Sequence, residues 1–372
     1  MTLPAPLGDL ALPVVAAPMF ISSGPELVIA QCNAGIVGSF PALNARPAPV
    51  LREWLQQITA ALAEHKTVHP ELPTAPYAVN QIVHRSNDRL DEDVQACIDH
   101  RVPIIITSLG ARPDINAAIH SYGGVVFHDV INNEFARKAI DKGADGLIAV
   151  AAGAGGHAGT ISPFALVQEI RTRFDGPLLL SGAIGHGRSI LAAQAAGADL
   201  AYIGSAFLAT HEADAPPAYK DMIAASTAAD IVYTNLFTGV HGNYLRGSIT
   251  AAGLDPDNLP ISGPSPMDFG SGGNMDAKAW KDIWGAGQGI ATVSDTVPTS
   301  QLVARLRREY DAAMDGLLSQ HRQTTTCRDR CRAEMSRPTS TTSPTSGLRN
   351  PKVAVLQGKS EYPGGDDRLT EP

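Results

Sequence analysis

Cysteine is scarce in this chain, with 4 in 372 residues. That is no disulfide framework, and it fits a reducing, cytoplasmic setting. Aromatic residues make up only 5% and charged residues 18%. Charge this sparse excludes a coiled coil, and an apolar fraction of 44% excludes a disordered chain. Basic residues are in deficit: 29 Lys and Arg against 37 Asp and Glu leave a net charge of −8. On charge, a nucleic-acid groove and a basic membrane patch are both disfavoured. Long apolar runs are missing too. The stretch from Val14 to Ile21 is interrupted by Pro18, and nothing approaches the roughly 18 residues of a membrane helix. The opening MTLPAPLGDL carries no basic stretch, so no secretory signal is expected. Glycine and proline, by contrast, are abundant, with 35 and 27 residues. Together they are about 17% of the chain against an ordinary 12% or so, which points to many tight turns.

Eight short β-branched runs follow one another, beginning near Val14, Ile36, Tyr77, Ile104, Gly124, Gly146, Pro177 and Leu200. They are continuously apolar rather than alternating, as expected of parallel strands covered on both faces. Helical patterns lie between them, such as NEFARKAIDKGAD (133–145) and GRSILAAQAAGAD (187–199), each ending in a Gly-Ala-Asp stop. Another helix opens at Ser162-Pro163, a capping residue followed by proline. Eight strand–helix units predict a closed (β/α)8 TIM barrel, with a doubly wound open sheet as the competitor. The rhythm breaks between 211 and 284, which includes the Gly/Pro/Ser-rich ISGPSPMDFGSGGN (261–274). This segment reads as an inserted, mostly helical cap. The barrel is then assigned to 1–210 and 285–320, closed by a helix over 299–320. Residues 321–372 are rich in Arg, Ser, Thr and Pro with little apolar periodicity, and read as a disordered C-terminal tail.

The clearest chemical signal is Gly153-Ala154-Gly155-Gly156-His157-Ala158-Gly159, directly after the sixth run. Small residues let a backbone approach a ligand closely. His157 falls at the C-terminal face, where functional groups of this fold collect, and imidazole can move protons near neutrality. Taken alone, the loop reads more readily as a glycine turn with an incidental histidine. The seventh run ends in Ser181-Gly182-Ala183 and the eighth in Ile203-Gly204-Ser205. Glycine loops at those two places are where (β/α)8 proteins often hold a phosphate, so a phosphate-bearing ligand is expected. His128 ends the fifth run and is expected at the same mouth, although a structural role beside Asp129 is an equal alternative. Tyr233, His241 and Tyr244 lie in the inserted segment as candidates to roof a substrate. Cys32 and Cys97 read as core residues. Cys327 and Cys331, a lone pair in the tail, make no zinc site, and no metal is expected.

These stretches together resemble a known family. AAPMFISSGPELVIAQCNAGIVGSF (16–40), GADGLIAVAAGAGGHAG (143–159), SGAIGHGRSILAAQAAGADLAYIGSAFLAT (181–210), FTGVHGNYLRGS (237–248) and WGAGQG (284–289) look like the nitronate monooxygenases, once called 2-nitropropane dioxygenases. The resemblance implies an FMN-binding TIM barrel with a cap, and oxidation of alkyl nitronates by molecular oxygen to a carbonyl compound and nitrite. It implies His157 as the catalytic histidine. Pro18, Met19 and Asn80 would lie at the flavin ring, Gly155 before the histidine, and Ser181, Gly182, Gly204 and Ser205 at the phosphate. Three stretches depart from the family pattern: Val150 stands where glutamine is usual, with alanines following where Gly-x-Glu is common, Tyr202-Ile203-Gly204-Ser205 replaces Gln-Met-Gly-Thr, and Ala158 replaces a common Arg. The expected partners are a small nitronate or nitroalkane and oxygen, with a homo-oligomer left open. Two other readings stand beside this one: an NAD(P)H-dependent quinone or enoyl-thioester reductase on the same fold, and a non-catalytic flavin-binding protein.

Overall fold

Each of the eight apolar runs forms a parallel strand. They are β1 (Val14–Ala16), β2 (Gly38–Pro41), β3 (Tyr77–Ile82), β4 (Ile104–Ser108), β5 (Val125–Val130), β6 (Gly146–Val150), β8 (Leu178–Ser181) and β9 (Leu200–Ile203), with a short β7 (Gly156–His157) outside this sheet. The structure, a computed structural model, describes residues 3–262 and 282–335. The strand order is β1-β9-β8-β6-β5-β4-β3-β2. A parallel bridge between Val15 and Val37 joins the two ends, with the Ala16 N–H donating to the Val37 carbonyl at 2.8 Å. The sheet is therefore a barrel and not an open doubly wound layer.

Two apolar layers explain why the strands do not alternate. Val15, Ala78, Ile106, Phe127, Ile148 and Leu179 point inward and fill the barrel. Their neighbours point outward: Val79, Ile105 and Val126 pack under the helices α2 (Val50–Val68), α3 (Leu90–Asp99) and α4 (Pro113–His120). Leu147 and Leu180 do the same under α6 (Pro163–Arg171). Both faces are apolar because both are covered. Close packing inside the barrel makes Gly146 obligatory. An added Cβ would overlap the Phe127 ring and lie 2.9 Å from the Pro177 carbonyl oxygen. Gly146→Ala should therefore lower stability by about 1–3 kcal/mol, the usual range for overpacking, as read from the urea midpoint. An unchanged midpoint would show that the Phe127 ring has room to move.

The Gly-Ala-Asp stops work as chain terminators and as strand anchors. Gly143 and Gly197 adopt φ of 86° and 111° after α5 (Asn133–Asp141) and α7 (Gly187–Ala196), a conformation that glycine takes readily. The following Asp145 and Asp199 accept backbone N–H bonds from Val126 and Leu178, at the starts of adjacent strands, at 2.7 and 2.8 Å. Ser162 does sit at the N-cap of α6 with Pro163 in the first turn, but its side chain makes no capping bond.

Among its described residues, the stretch from 211 onward mixes helix with a small antiparallel sheet. Besides α9 (Pro217–Ala225) and α10 (Arg246–Ala251) it holds an antiparallel hairpin, β10 (Ile231–Thr234) and β11 (Gly242–Leu245). β11 also pairs with β7, making a three-stranded sheet in the order β10-β11-β7. The hairpin's third partner is a glycine loop far away in sequence, so local patterning does not announce it. Most of the Gly/Pro/Ser-rich segment lies outside the described residues. The C-terminal helix runs Thr299–Met335 rather than stopping at Gln320. Once nucleated, a helix extends at little cost through Gln, Arg, Ala, Glu and Met. The remainder of the expected tail, from 336 on, lies outside the described residues. Residues Met1–Ser319 form one compact unit. Among the described residues no helix is long and apolar enough to cross a membrane. Cys32 and Cys97 are free and buried, and burial pushes both thiols up to about 12.

Candidate active site at the barrel mouth

The glycine loop after β6 is held in place by the hairpin. Its residues 156–157 form an edge strand, with Gly242 opposite His157 and Asn243 opposite Gly156. The buried Asn243 side chain donates to the Ala154 carbonyl at 2.6 Å. Tyr233 bonds the Ala158 carbonyl through its hydroxyl at 3.1 Å and stacks on His241 with ring centroids 5.0 Å apart. Tyr233 and His241 are thus brought beside the histidine loop. His157 itself is half-buried. Its Nε2 lies 3.0 Å from the Thr238 Oγ1. The Thr238 hydroxyl hydrogen is directed at the Val240 carbonyl, 2.9 Å away, which can only accept. Nε2 is therefore the donor to Thr238. Desolvation lowers this imidazole to about 4, so it is neutral at physiological pH.

A polar tier crowns the apolar barrel filling. Asn80, Ser108 and Asp129 occupy the inward-facing register of β3, β4 and β5, continuing the rows of Ala78, Ile106 and Phe127. The Asn80 amide donates to Ser108 Oγ at 2.7 Å and to the Ile106 carbonyl at 3.2 Å. The Ser108 hydroxyl in turn donates to Asp129 Oδ2 at 2.6 Å. His128 is not part of this tier. Phe127 and Asp129 point into the barrel, so His128 points out under the helices. There its Nδ1 meets Thr107 Oγ1 at 2.7 Å, with only 7% of the residue exposed. Burial, with Lys142 adding to it, lowers its imidazole to about 4. The expectation that His128 shares the mouth with His157 is corrected: it is a buried structural histidine.

The two phosphate-loop candidates meet a segment that the sequence had not placed. Residues 284–289 lie against the glycine loop, backbone on backbone. The Gly153 carbonyl accepts from the N–H groups of Ala183 (3.1 Å) and Gln288 (2.9 Å). The Gly287 N–H donates to Ser205 Oγ at 2.8 Å. A Cβ on Gly155 would fall 2.9 Å from both the Gly287 nitrogen and Ser205 Oγ, and one on Gly182 would fall 2.7 Å from the Ala152 carbonyl. Packing alone therefore demands glycine at Gly155 and Gly182. Gly204 is different: a Cβ there would meet only Ala17 and Met19, at ordinary distances of 3.4 Å and beyond. Met19 stands beside it, on a loop braced by Asn44, whose amide donates to the Met19 and Ser23 carbonyls at 3.0 and 2.9 Å. Pro18 precedes Met19 in that loop, and Ser181 ends β8 on the inward face, in register with Val150 and Tyr202. Sequence reasoning missed Asn44, Thr238, Asn243 and the Ser108–Asp129 pair. Thr238 and Asn243 were inside a stretch already singled out, FTGVHGNYLRGS. Asp129 was signalled only as an acidic residue inside an otherwise apolar run.

Comparison with known proteins agrees with this geometry. The family model described as nitronate monooxygenase matches residues 6–309. A nitronate monooxygenase of Paraburkholderia phytofirmans is 28% identical over 356 residues, spanning 84% of this chain and 96% of that one. A (3aS,4S,5R,7aS)-5-hydroxy-7a-methyl-1-oxo-octahydro-1H-indene-4-carboxyl-CoA dehydrogenase of Rhodococcus jostii is 24% identical, covering 64% of this chain and 68% of its own. In fold, the chain is similar to a nitroalkane oxidase from Streptomyces ansochromogenes, with a TM-score of 0.71 and 24% identity over 83% of this chain and 98% of that one. FabK from Thermotoga maritima gives a TM-score of 0.66 at 22% identity, covering 85% and 97%. With its barrel, its glycine-loop histidine and a family match over most of its length, the chain belongs to the nitronate monooxygenase family.

Proposed function

We propose that the protein holds one FMN at the barrel mouth and oxidises alkyl nitronates with molecular oxygen, giving a carbonyl compound and nitrite. The observation that carries this reading is His157, a neutral imidazole fixed at the mouth by a hairpin rather than left on a free loop. The residues present fit the cofactor. Gly204 leaves bare backbone beside Met19 although packing does not require glycine there, and the loops after β8 and β9 are the usual phosphate side of this fold. Asn80, Pro18 and Met19 would meet the ring, and Ser181, Gly182, Gly204 and Ser205 the phosphate. Bound FMN would supply the two-electron oxidation and the reaction with oxygen. The protein's own part is narrower. The His157 imidazole takes the α-proton from a neutral nitroalkane. With a nitronate that proton is already gone, and the imidazole only orients the anion. The hairpin, through Tyr233 and His241, covers the histidine side.

Anaerobic titration of the purified yellow protein tests the reading. Bleaching by ethylnitronate, with little by NADH, supports it, and rapid bleaching by NADH alone would replace it with a reductase. Mass spectrometry of the released cofactor should find FMN. Gly204→Ala should keep the wild-type melting temperature but lose most of its flavin. Full flavin retention would remove Gly204 from the cradle.

One observation favours a second reading, dehydrogenation or reduction of a bulky acyl thioester. Phe164 and Phe135, on the first turns of α6 and α5, are 60% and 44% exposed, and Ile131 after β5 is 41% exposed. Exposed apolar side chains on the βα side of the barrel suit a larger substrate than a short nitroalkane, and the Rhodococcus jostii relative is named for a CoA substrate.

A further inference from the structure

Asp129 is a carboxyl group that the function proposed above does not use. It faces the barrel interior at the mouth, level with Asn80, Ser108 and the Tyr202 end of β9. Acid at such a place is unfavourable unless it is solvated, paired or protonated. Asp129 accepts the Ser108 hydroxyl and the Leu109 backbone N–H. Leu109 itself has a left-handed backbone, φ 64°, unusual for leucine. Among the described residues no cation contributes to its titration. The titratable group that faces it from another strand is Tyr202, whose phenol is raised by burial and by this carboxylate. His128, next in sequence, faces the other way and meets Lys142 and Thr107 instead. Burial pushes the Asp129 carboxyl up to about 6, against the opposing pull of Ser108 and Leu109.

The direction of the hydrogen bonds gives this carboxyl a reach beyond its own contacts. When Asp129 is ionised it can only accept, so Ser108 donates to it and must accept from the Asn80 amide. Both Asn80 amide hydrogens are then engaged, on Ser108 and on the Ile106 carbonyl. What Asn80 has left to offer is its Oδ1, an acceptor. Protonated Asp129 can donate to Ser108, which then donates onward to Asn80 Oδ1, and the Asn80 amide, turned over and released from the Ile106 carbonyl, presents N–H. We propose that Asp129, Ser108 and Asn80 form a proton-set relay in which Asp129 is a positioning residue: its protonation reverses the chain and switches Asn80 from acceptor to donor at the mouth. Under the FMN reading, on which this last step rests, the group that feels the switch is the flavin ring.

The test has two arms. In apoprotein, difference infrared spectroscopy from pH 4 to 8 should show a protonated-carboxyl band lost with a midpoint near 6. The band should be absent in Asp129→Asn. In Ser108→Ala the midpoint should rise, because the hydroxyl that stabilises the carboxylate is gone. In flavin-loaded protein, the visible band of the bound flavin should shift with the same midpoint, and the shift should vanish in both variants while their flavin content and circular dichroism stay at wild-type values. An apoprotein in which no such band titrates, or in which Ser108→Ala leaves the midpoint unmoved, overturns the relay. A titrating carboxyl beside a pH-independent flavin spectrum overturns the switch at Asn80. If the wild-type protein takes up no flavin, the FMN reading fails, and the infrared arm still decides the relay.

Discussion

In His157→Ala, turnover of a neutral nitroalkane should fall by about 10²–10⁴-fold, the usual loss when a general base is removed. FMN should stay bound, because the phosphate loops after β8 and β9 do not involve this residue. Nitronate turnover should fall less, since that substrate arrives without its α-proton. The two assayed side by side separate a base from an anion-orienting group, and equal, unchanged turnover of both would remove His157 from the chemistry. The pH profile carries the same information. With the imidazole lowered to about 4, any step that needs it neutral should be flat from about pH 5 upward and decline only in more acid solution. The stability consequence has a definite sign. The folded state depresses this pKa, so between about 6.5 and 4 the unfolded chain binds more protons than the folded one. The contribution is full above that window and is lost as the pH falls through it. In His157→Ala this part of the acid sensitivity should disappear. A melting-temperature series from pH 7 to 4 on both proteins would show it.

The second large effect is expected at Gly155. A methyl group there would press on the Gly287 nitrogen, Ser205 Oγ and the Ala286 carbonyl carbon, all within 3.1 Å. These atoms are backbone or a short, bonded side chain, so they yield only if the whole 284–289 segment lifts from the glycine loop. Gly155→Ala should therefore lose about 1–3 kcal/mol of stability. It should also lose flavin, because the Gly287–Ser205 bond at the eighth-strand loop breaks with the segment. The comparison with Gly204→Ala is informative: one variant loses stability and cofactor together, the other cofactor alone. If Gly155→Ala melts like wild type and remains yellow, the backbone-on-backbone packing does not hold the site together. Trp284, stacked on Tyr219 with centroids 4.9 Å apart, anchors the other end of the same segment.

Much of this architecture is legible in the residues themselves, and the rest is not, for a physical reason that differs from case to case. Strand formation by VVFHDV or GLIAV, the turns at Gly143 and Gly197, and the tight glycine loop with one histidine after β6 depend on backbone preferences that act within a few residues. Eight such units in order pointed to a barrel, with an open sheet as the competitor that closure between β1 and β2 removed. Local preference does not say which side of a strand faces inward when both sides are apolar. His128 was therefore placed at the mouth and lies under the helices, and Asp129, one residue on, took the inward position. Pairing across long separations is equally hidden: His157 meets Thr238 across 81 residues, and the β10–β11 hairpin exists because the glycine loop supplies its third strand. The amino-acid sequence by itself determined the barrel, its turns and the residue types at its mouth. Closure of the sheet decided inside from outside, and with it which histidine stands at the mouth and which carboxyl reaches Asn80.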